Sequence, residues 1–340
     1  MSANKLSDNI VIDKLGRNLQ DLRISITDKC NFRCRYCMPR EVFDNNWEFL
    51  KRNELLTYEE ILLVIDSFIK LGLKKVRLTG GEPLIRKDMH ELIRIIKNKY
   101  PNLEIALTTN GSLLSHYSQK LKQAGLDRIT ISLDSLEPKL FEKMNDTKIP
   151  ITQVLDGIKS VCDLNFKNIK INCVIKKGLN ENQIIPLIEY FKNKNVILRF
   201  IEYMDVGNSN QWNMGQVFTK EDIIKKINSK YDFSLIGREK RSDVAEQWIE
   251  KNTNQKIEII SSISQPFCSN CTRARLSSDG KLYTCLFAFK GFDIKKILRE
   301  NGDITTKIKE VWEQRDDQFS ELRNEFITSQ KKVEMSYIGG

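Results

Sequence analysis

Six of the eight cysteines fall into two closely spaced groups, the first place in this sequence to look for chemistry. Cys30, Cys34 and Cys37 form C-x3-C-x2-C, Cys268, Cys271 and Cys285 form C-x2-C-x13-C, and Cys162 and Cys173 stand alone. Residues 1–22 carry Asp8, Asp13 and Asp21 among short apolar pieces and no signal-peptide core, so a cytoplasmic location is expected. Thiols there stay reduced, and the spacing reads as metal or redox chemistry rather than as a disulfide framework. Three thiolates are one short of a structural zinc site, whereas a [4Fe–4S] cluster held by three cysteines keeps one iron open for an outside ligand. His90 and His116 are the only histidines, and a zinc site borrowing one of them is the alternative for the first group. C-x3-C-x2-C with Tyr36 between the last two cysteines is far from the common zinc spacings. For the second group a zinc knuckle remains a contender. Cys162 and Cys173 read as small buried hydrophobes.

The elements that must position these thiols are legible in the hydropathy pattern. Strand-like runs at Leu22 to Thr27, Lys75 to Thr79, Glu104 to Asn110, Arg128 to Asp134, Lys170 to Lys176 and Asn195 to Met204 alternate with amphipathic helices, which implies a parallel sheet. One helix opens at Thr57 with Glu60 in capping-box spacing and ends at Gly72. The strands alternate in polarity: Arg23, Ser25 and Thr27 share a face, as do Arg77 and Thr79, Thr108 and Asn110, Thr130, Ser132 and Asp134, and Lys170 and Asn172. Apolar outward and polar inward implies curling around a wet cavity, a partial (β/α)6 TIM-type barrel, with a flat half-solvated sheet as the competing arrangement. The first cysteine group then lies on the loop after the first strand, at the rim where βα loops build active sites.

After Met204 the pattern changes to a loop from Asp205 to Gln216, a helix near Thr219, short strands around Glu246 to Lys251 and Lys256 to Ser261, a hairpin through Ser278-Asp279-Gly280, and polar helices to about Ser329. The expected organisation is an amino-terminal extension over 1–21, the barrel over 22–215, and a carboxyl-terminal cluster domain over 216–340. With 55 Lys and Arg against 45 Asp and Glu the formal charge is +10, which favours an anionic partner. Arg23, Arg77, Lys170, Arg199, Arg273 and Arg275 stand on inward strand faces or beside a cysteine group, where several forked cations suit a polyphosphate. No apolar stretch is long enough to span a membrane, and no aromatic-basic module for nucleic acid is present.

Cys30-Asn31-Phe32-Arg33-Cys34-Arg35-Tyr36-Cys37 resembles the signature of radical S-adenosylmethionine enzymes, and Thr79-Gly80-Gly81-Glu82-Pro83 resembles their glycine-glycine-glutamate motif. The second group, Cys268-Ser269-Asn270-Cys271-Thr272-Arg273-Ala274-Arg275 with Cys285, is similar to the molybdenum-cofactor biosynthesis protein A family of GTP 3′,8-cyclases, nearly over the full length. The resemblance implies two [4Fe–4S] clusters, one on each group, with S-adenosylmethionine on the open iron of the first. It implies S-adenosylmethionine contacts from Tyr36, Gly81, Ser132 and Met204. GTP contacts would come from Arg23, Arg77, Thr108, Lys170, Arg273, Ala274 and Arg275. Catalytic roles would fall to Arg273, Arg275 and the terminal Gly339 and Gly340, which in the family reach into the active site, with Tyr337 and Ile338 as anchors.

The activity so implied is conversion of GTP to (8S)-3′,8-cyclo-7,8-dihydroguanosine 5′-triphosphate, with an electron donor and a downstream cyclic pyranopterin monophosphate synthase as partners. A homodimer is compatible with the sequence. The rival readings are a radical peptide-modifying enzyme with an auxiliary cluster and, from another class, a basic zinc-containing nucleic-acid binder.

Overall fold

The computed structural model describes residues 10–323 and 332–340. Six strands in register with the sequence pattern open the chain: β1 (Asp21–Ser25), β2 (Lys75–Thr79), β3 (Glu104–Thr109), β4 (Arg128–Ser132), β5 (Ile169–Ile175) and β6 (Ile197–Glu202). Between them run α1 (Tyr58–Lys70), α2 (Met89–Lys99), α3 (Leu114–Gln123), α4 (Pro138–Asn145), α5 (Ile151–Asp163) and α6 (Ile184–Phe191). The carboxyl-terminal part supplies α7 (Lys220–Asn228), β7 (Phe233–Gly237), β8 (Glu246–Glu250), β9 (Lys256–Ile260), β10 (Arg273–Leu276), β11 (Lys281–Tyr283) and β12 (Phe292–Asp293). It continues with α8 (Ile294–Arg299), α9 (Ile304–Glu313) and α10 (Met335–Ile338). The helical stretch expected to reach about Ser329 is described as far as Glu313, and Ser329 itself lies outside the described residues.

The carboxyl-terminal strands do not form a sheet of their own. The order β12-β11-β10-β1-β2-β3-β4-β5-β6-β9-β8-β7 places β10 against β1 and β9 against β6, both parallel, so the six-stranded sheet is extended by one parallel strand at each edge. The outward side chains of this parallel set, among them Leu22, Ile24, Val76, Leu78, Ile105, Leu107, Ile129, Ile131, Ile171 and Phe200, are fully buried beneath the helices. Each is worth roughly 1.5 to 3 kcal/mol of apolar burial. The inward residues Arg23, Arg77, Thr108, Ser132, Asn172, Arg199, Ile260 and Arg275, one from each of the eight parallel strands, all line a single cavity. A flat sheet could not bring β1, β4 and β6 side chains to one space, so the strands curl as a barrel.

Local signals place the helices as the sequence expects. Thr57 caps α1, its Oγ1 accepting from the Glu60 amide at 3.1 Å while the Glu60 carboxylate accepts from the Thr57 amide at 2.8 Å. Glu60 also receives Arg299 of α8 at 2.7 Å, tying the cap to the carboxyl-terminal part. Gly72 follows the helix with a φ of 98°, the left-handed conformation that ends it. Thr57→Ala should lower stability to chemical denaturation by about 0.5 to 2 kcal/mol with no change in cysteine chemistry; an unshifted midpoint would show that tertiary packing alone holds this end of α1.

Candidate active site

The loop after β1 carries the first cysteine group and is held by its neighbours more than by itself. Arg33 and Arg35 donate their amides to Asn145 and Met144 at the end of α4, at 2.9 and 3.0 Å, and the Cys34 thiol lies 3.1 Å from Asn145 Oδ1. Phe32 is buried edge-on against Phe141 at 5.9 Å. The Arg33 guanidinium closes the loop on the carbonyls of Cys30 and Phe32. From β2 the glycine pair packs on the same loop: Gly81 and Glu82 donate their amides to Thr27 and Lys29 at 2.7 and 2.8 Å. A Cβ on Gly81 would stand 2.1 Å from the Lys29 carbonyl, so glycine is what permits the approach. Glu82 is fully buried, accepts from Leu84 N, Thr109 Oγ1 and Asn110 N, and is pushed up to about 7 by that burial.

The second group sits where β10 meets β1. Cys271 donates its amide to the Cys268 carbonyl at 3.1 Å, and Cys285 follows the β10–β11 hairpin. Burial alone would raise the Cys271 thiol, but Arg273 and Arg315 bring it down to about 7. In the first group burial drives Cys30 up to about 11, with Glu82 adding to it and Arg33 opposing only in part, while Cys34 is raised by burial and by Cys30 and Cys37, and Cys37 by burial and by Cys30. Three thiolates can coexist there only against positive charge that iron would supply.

All six cysteines line one cavity of about 310 Å³. Among the described residues no three His, Cys, Asp or Glu side chains are disposed as the ligands of a single metal ion. Three cysteines in each group suit an assembly in which each thiolate meets a different iron. His90 and His116 pack around Tyr117 and are not part of this cavity's lining.

The cavity gathers most of the residues singled out in the sequence. Tyr36, Gly81, Ser132 and Met204 line it, as do Arg23, Arg77, Thr108, Arg273, Arg275 and Gly340. Lys170 lines an adjoining cavity of about 200 Å³ toward the amino ends of the strands, whose walls share Arg23, Arg77, Arg199 and Arg273. Ala274 does not face either space: strand alternation turns its side chain into the apolar layer opposite Leu22. Burial and mutual repulsion hold the guanidiniums below their ordinary range, Arg23 at about 10 with Arg273 the nearest cause after burial, and Arg77 at about 9 with Arg23 and Arg199. Arg77 donates to the hydroxyls of Thr108 and Thr130 at 3.0 and 3.2 Å. Arg275 donates to the Gly339 carbonyl, and the Thr79 hydroxyl is 3.4 Å from the Gly340 carbonyl. The last residues thus lie inside the barrel, with Ile338 fully buried beside Tyr283 and Ala288.

Residues 24–191 match the radical SAM superfamily and residues 196–321 match Molybdenum Cofactor Synthesis C. A GTP 3′,8-cyclase of Staphylococcus epidermidis is 46% identical over 339 residues, covering 97% of this chain and 99% of that protein. The chain belongs to the GTP 3′,8-cyclase family of radical SAM proteins. A GTP 3′,8-cyclase of Staphylococcus carnosus is 44% identical over 337 residues, with 97% and 99% covered. Among solved structures, Streptococcus suis SuiB bound to S-adenosylmethionine superposes with a TM-score of 0.63 at 16% identity, covering 93% of this chain and 70% of that one, a likeness of fold. Membership in the superfamily implies S-adenosylmethionine and a [4Fe–4S] cluster, and the first cysteine group fits that cluster.

Two acids of these adjoining cavities, Glu258 and Asp134, were given no role by sequence reasoning. Glu258 of β9 takes Lys170 at 2.5 Å and the Arg199 guanidinium at 2.7 Å, so one carboxylate neutralises two cations on the barrel wall. Its only local signal is a lone acid on the inward parity of Lys256–Ile260. Lys170 is lowered to about 8 by burial and by Arg199, with Glu258 opposing. Asp134 accepts the Tyr36 hydroxyl at 2.7 Å and the Val174 amide at 2.8 Å, linking the cysteine loop to β5. Of the two isolated cysteines, Cys173 is buried in the core and Cys162 packs partly buried against it. Gly81→Ala, which forces a methyl onto the Lys29 carbonyl, should cost about 1 to 3 kcal/mol and displace the first cysteine loop. Thermal denaturation together with iron retention on the Cys30 group measures it, and wild-type values for both would mean that the two loops give way freely.

Proposed function

We propose that the protein is a GTP 3′,8-cyclase in which the Cys30 group holds the cluster that works with S-adenosylmethionine and the Cys268 group holds a second [4Fe–4S] cluster on the substrate side. The observation that carries this reading is the single cavity faced by both cysteine groups and walled by Arg23, Arg77, Arg199, Arg273 and Arg275. When bound, the first cluster supplies the electron that cleaves S-adenosylmethionine and so provides a hydrogen-abstracting radical.

What the chain does is bind, orient and exclude water. Guanidiniums with hydroxyl and carbonyl partners are poised to exchange them for phosphate oxygens, since charge-assisted forked contacts are stronger than neutral ones. Lys170 and Arg199 would turn from Glu258 toward the same triphosphate. Thr108 and Arg77 hold one side of the nucleotide, and Arg273 and Arg275 the other. The Tyr36 loop, Gly81, Ser132 and Met204 form the S-adenosylmethionine wall. The wall between these two sets is what brings ribose C3′ within reach of the abstracting carbon, and the 332–340 segment closes the space against solvent. The product is an isomer of GTP: the hydrogen taken from C3′ as the C3′–C8 bond forms is balanced by one electron and one proton delivered to the purine. An electron donor is therefore a required partner, and a synthase that converts a cyclic nucleotide to a pyranopterin is the consumer its product calls for.

Replacing Cys30, Cys34 or Cys37 with Ala should abolish 5′-deoxyadenosine formation. Replacing Cys268, Cys271 or Cys285 should leave some S-adenosylmethionine cleavage while removing cyclised product. Chromatography of both products from folded, iron-loaded variants reads this, and equal loss of cleavage in the two sets refutes the division of labour. The 332–340 segment gives a separate test. Gly339 has a φ of 79° and a Cβ there would lie 2.4 Å from Thr79 Cγ2, so Gly339→Ala, or deletion of Gly339 and Gly340, should lower cyclised product per 5′-deoxyadenosine by roughly ten-fold, the scale of one lost contact of about 1.4 kcal/mol. Unchanged coupling at matched iron content would reduce the segment to packing.

A further inference from the structure

The short hairpin ahead of β1 lies outside both matched family segments, which begin at residue 24 and residue 196. It is nevertheless held by bonds both within itself and to distant parts of the chain. Val11 and Leu19 pair through their backbones, Ile12 bridges Asn18, and Gly16 turns the tip with a φ of 76°. Asp13 fixes the inside of that turn, accepting from the amides of Leu15 and Arg17 at 3.0 and 2.8 Å and from Arg17 Nε at 2.5 Å. The side chains of Asp13 and Arg17 are 0% and 1% exposed.

A buried arginine so held has only a few directions in which to spend its remaining donors. Arg17 Nη1 donates to the carbonyl of Cys268 at 3.0 Å and to that of Asp317 at 2.8 Å. A second buried arginine mirrors it: Arg315 Nη1 donates to the carbonyl of Cys271 at 2.8 Å. The two guanidiniums share their counter-ions, since Arg315 lies 3.6 Å from Asp13 and 3.1 Å from Asp317, and Arg17 Nη2 lies 3.9 Å from Asp317. Trp312 Nε1 donates to the Arg17 carbonyl at 2.9 Å and Lys14 donates its amide to the Arg315 carbonyl at 3.1 Å, so the hairpin is bonded to α9 and to the turn that follows it.

We infer that Arg17, oriented by Asp13, is a positioning residue for the second cysteine group, fixing the Cys268–Cys271 turn from behind so that both thiols face the cavity. Two cysteines with two residues between them can point their sulfurs to one side only if the intervening peptide planes are set, and here two guanidinium forks claim the two cysteine carbonyls. Arg315 also acts on the Cys271 thiol through its charge, whereas Arg17, paired with Asp13, contributes the geometry of the Cys268 carbonyl. Lysine could keep the pairing with Asp13 but could not match a planar fork that reaches Asp13, Cys268 and Asp317 together. The inference rests on the Cys268 group holding a cluster.

The test compares wild type with Arg17→Ala, Arg17→Lys and the double variant Asp13→Ala/Arg17→Ala, which leaves no unpaired buried carboxylate at position 13. Leu121→Ala in α3 serves as a destabilised control remote from the hairpin. Iron and sulfide per chain are measured with the electron paramagnetic spectra of the reduced proteins, using added S-adenosylmethionine to mark the first cluster's signal. Hydrogen exchange of amides 268–273 is measured on the iron-free proteins. The expected result for Arg17→Ala and the double variant is loss of about half the iron, from about eight to about four atoms by the two-cluster count, with the S-adenosylmethionine-sensitive signal and 5′-deoxyadenosine formation retained. Arg17→Lys should fall between, and exchange at 268–273 should quicken at least about ten-fold while the barrel strands are unchanged. Full iron with unchanged exchange in Arg17→Ala overturns the inference, as does equal loss from both clusters or the same selective loss in Leu121→Ala. If wild type itself carries only one cluster's iron, the two-cluster reading fails, and the exchange measurement alone then decides whether Arg17 positions the turn.

Discussion

Like charges buried close together on one cavity wall are the constraint around which this barrel is arranged. Arg23, Arg77, Arg273 and Arg275 face one cavity, and the hydrogen bonds of Arg77, Arg273 and Arg275 go to hydroxyls and carbonyls rather than to carboxylates. Such a set is costly in the folded protein, since each guanidinium loses water and repels its neighbours. The scaffold must be rigid to hold it, and the continuous layer of Ile, Leu and Val outside the parallel strands provides that rigidity. A polyanion facing these guanidiniums would relieve the repulsion.

Glu258 belongs to the same balance. It pairs with both Lys170 and Arg199, and the strand that carries it, β9, comes from the part of the chain after the six-stranded core. The carboxyl-terminal segment is thus more than a cap over the barrel mouth. Through β9 and β10 it becomes two staves of the wall, one bearing Glu258 and the other Arg273 and Arg275. The register Asp21↔Arg273 and Arg23↔Arg275 puts both arginines on the inward face, and Ala274 between them faces out.

How much of this the sequence reveals follows from the range of each interaction. Period-two alternation in β1 to β5 exposes Arg23, Arg77, Thr108, Ser132 and Lys170, because the pleat alone decides the face. Thr57 with Glu60, and the turn at Gly280, are read from a few adjacent residues. The parallel pairing of β9 with β6 and of β10 with β1 leaves no local trace, since a strand's partner is chosen by tertiary packing. Glu258 and Arg17 went unnoticed for that reason: Arg17 resembles any surface arginine until Cys268, 251 positions away, is brought to it. Met204 and the Gly339-Gly340 pair came from family resemblance, and a glycine pair at a chain's end has no periodicity to interpret.

The pairing of β10 with β1 has a consequence for how the molecule comes into being. Thr272 and Asp21, joined side chain to side chain at 3.1 Å, are 251 positions apart, so one hydrogen-bonding edge of the first strand waits for nearly the whole chain to be synthesised. Until then β1 presents an unpaired parallel edge, the kind of surface on which nascent chains mispair. Closing so long a loop costs entropy that is repaid only when the pairing forms, which makes it a late event in folding. The amino-terminal βα units can gather their helices beforehand, but the two cysteine groups meet across a common space only at that last step. Metal insertion into the first group can therefore precede completion of the fold, whereas the second group acquires its backing only after the chain's two ends have come together.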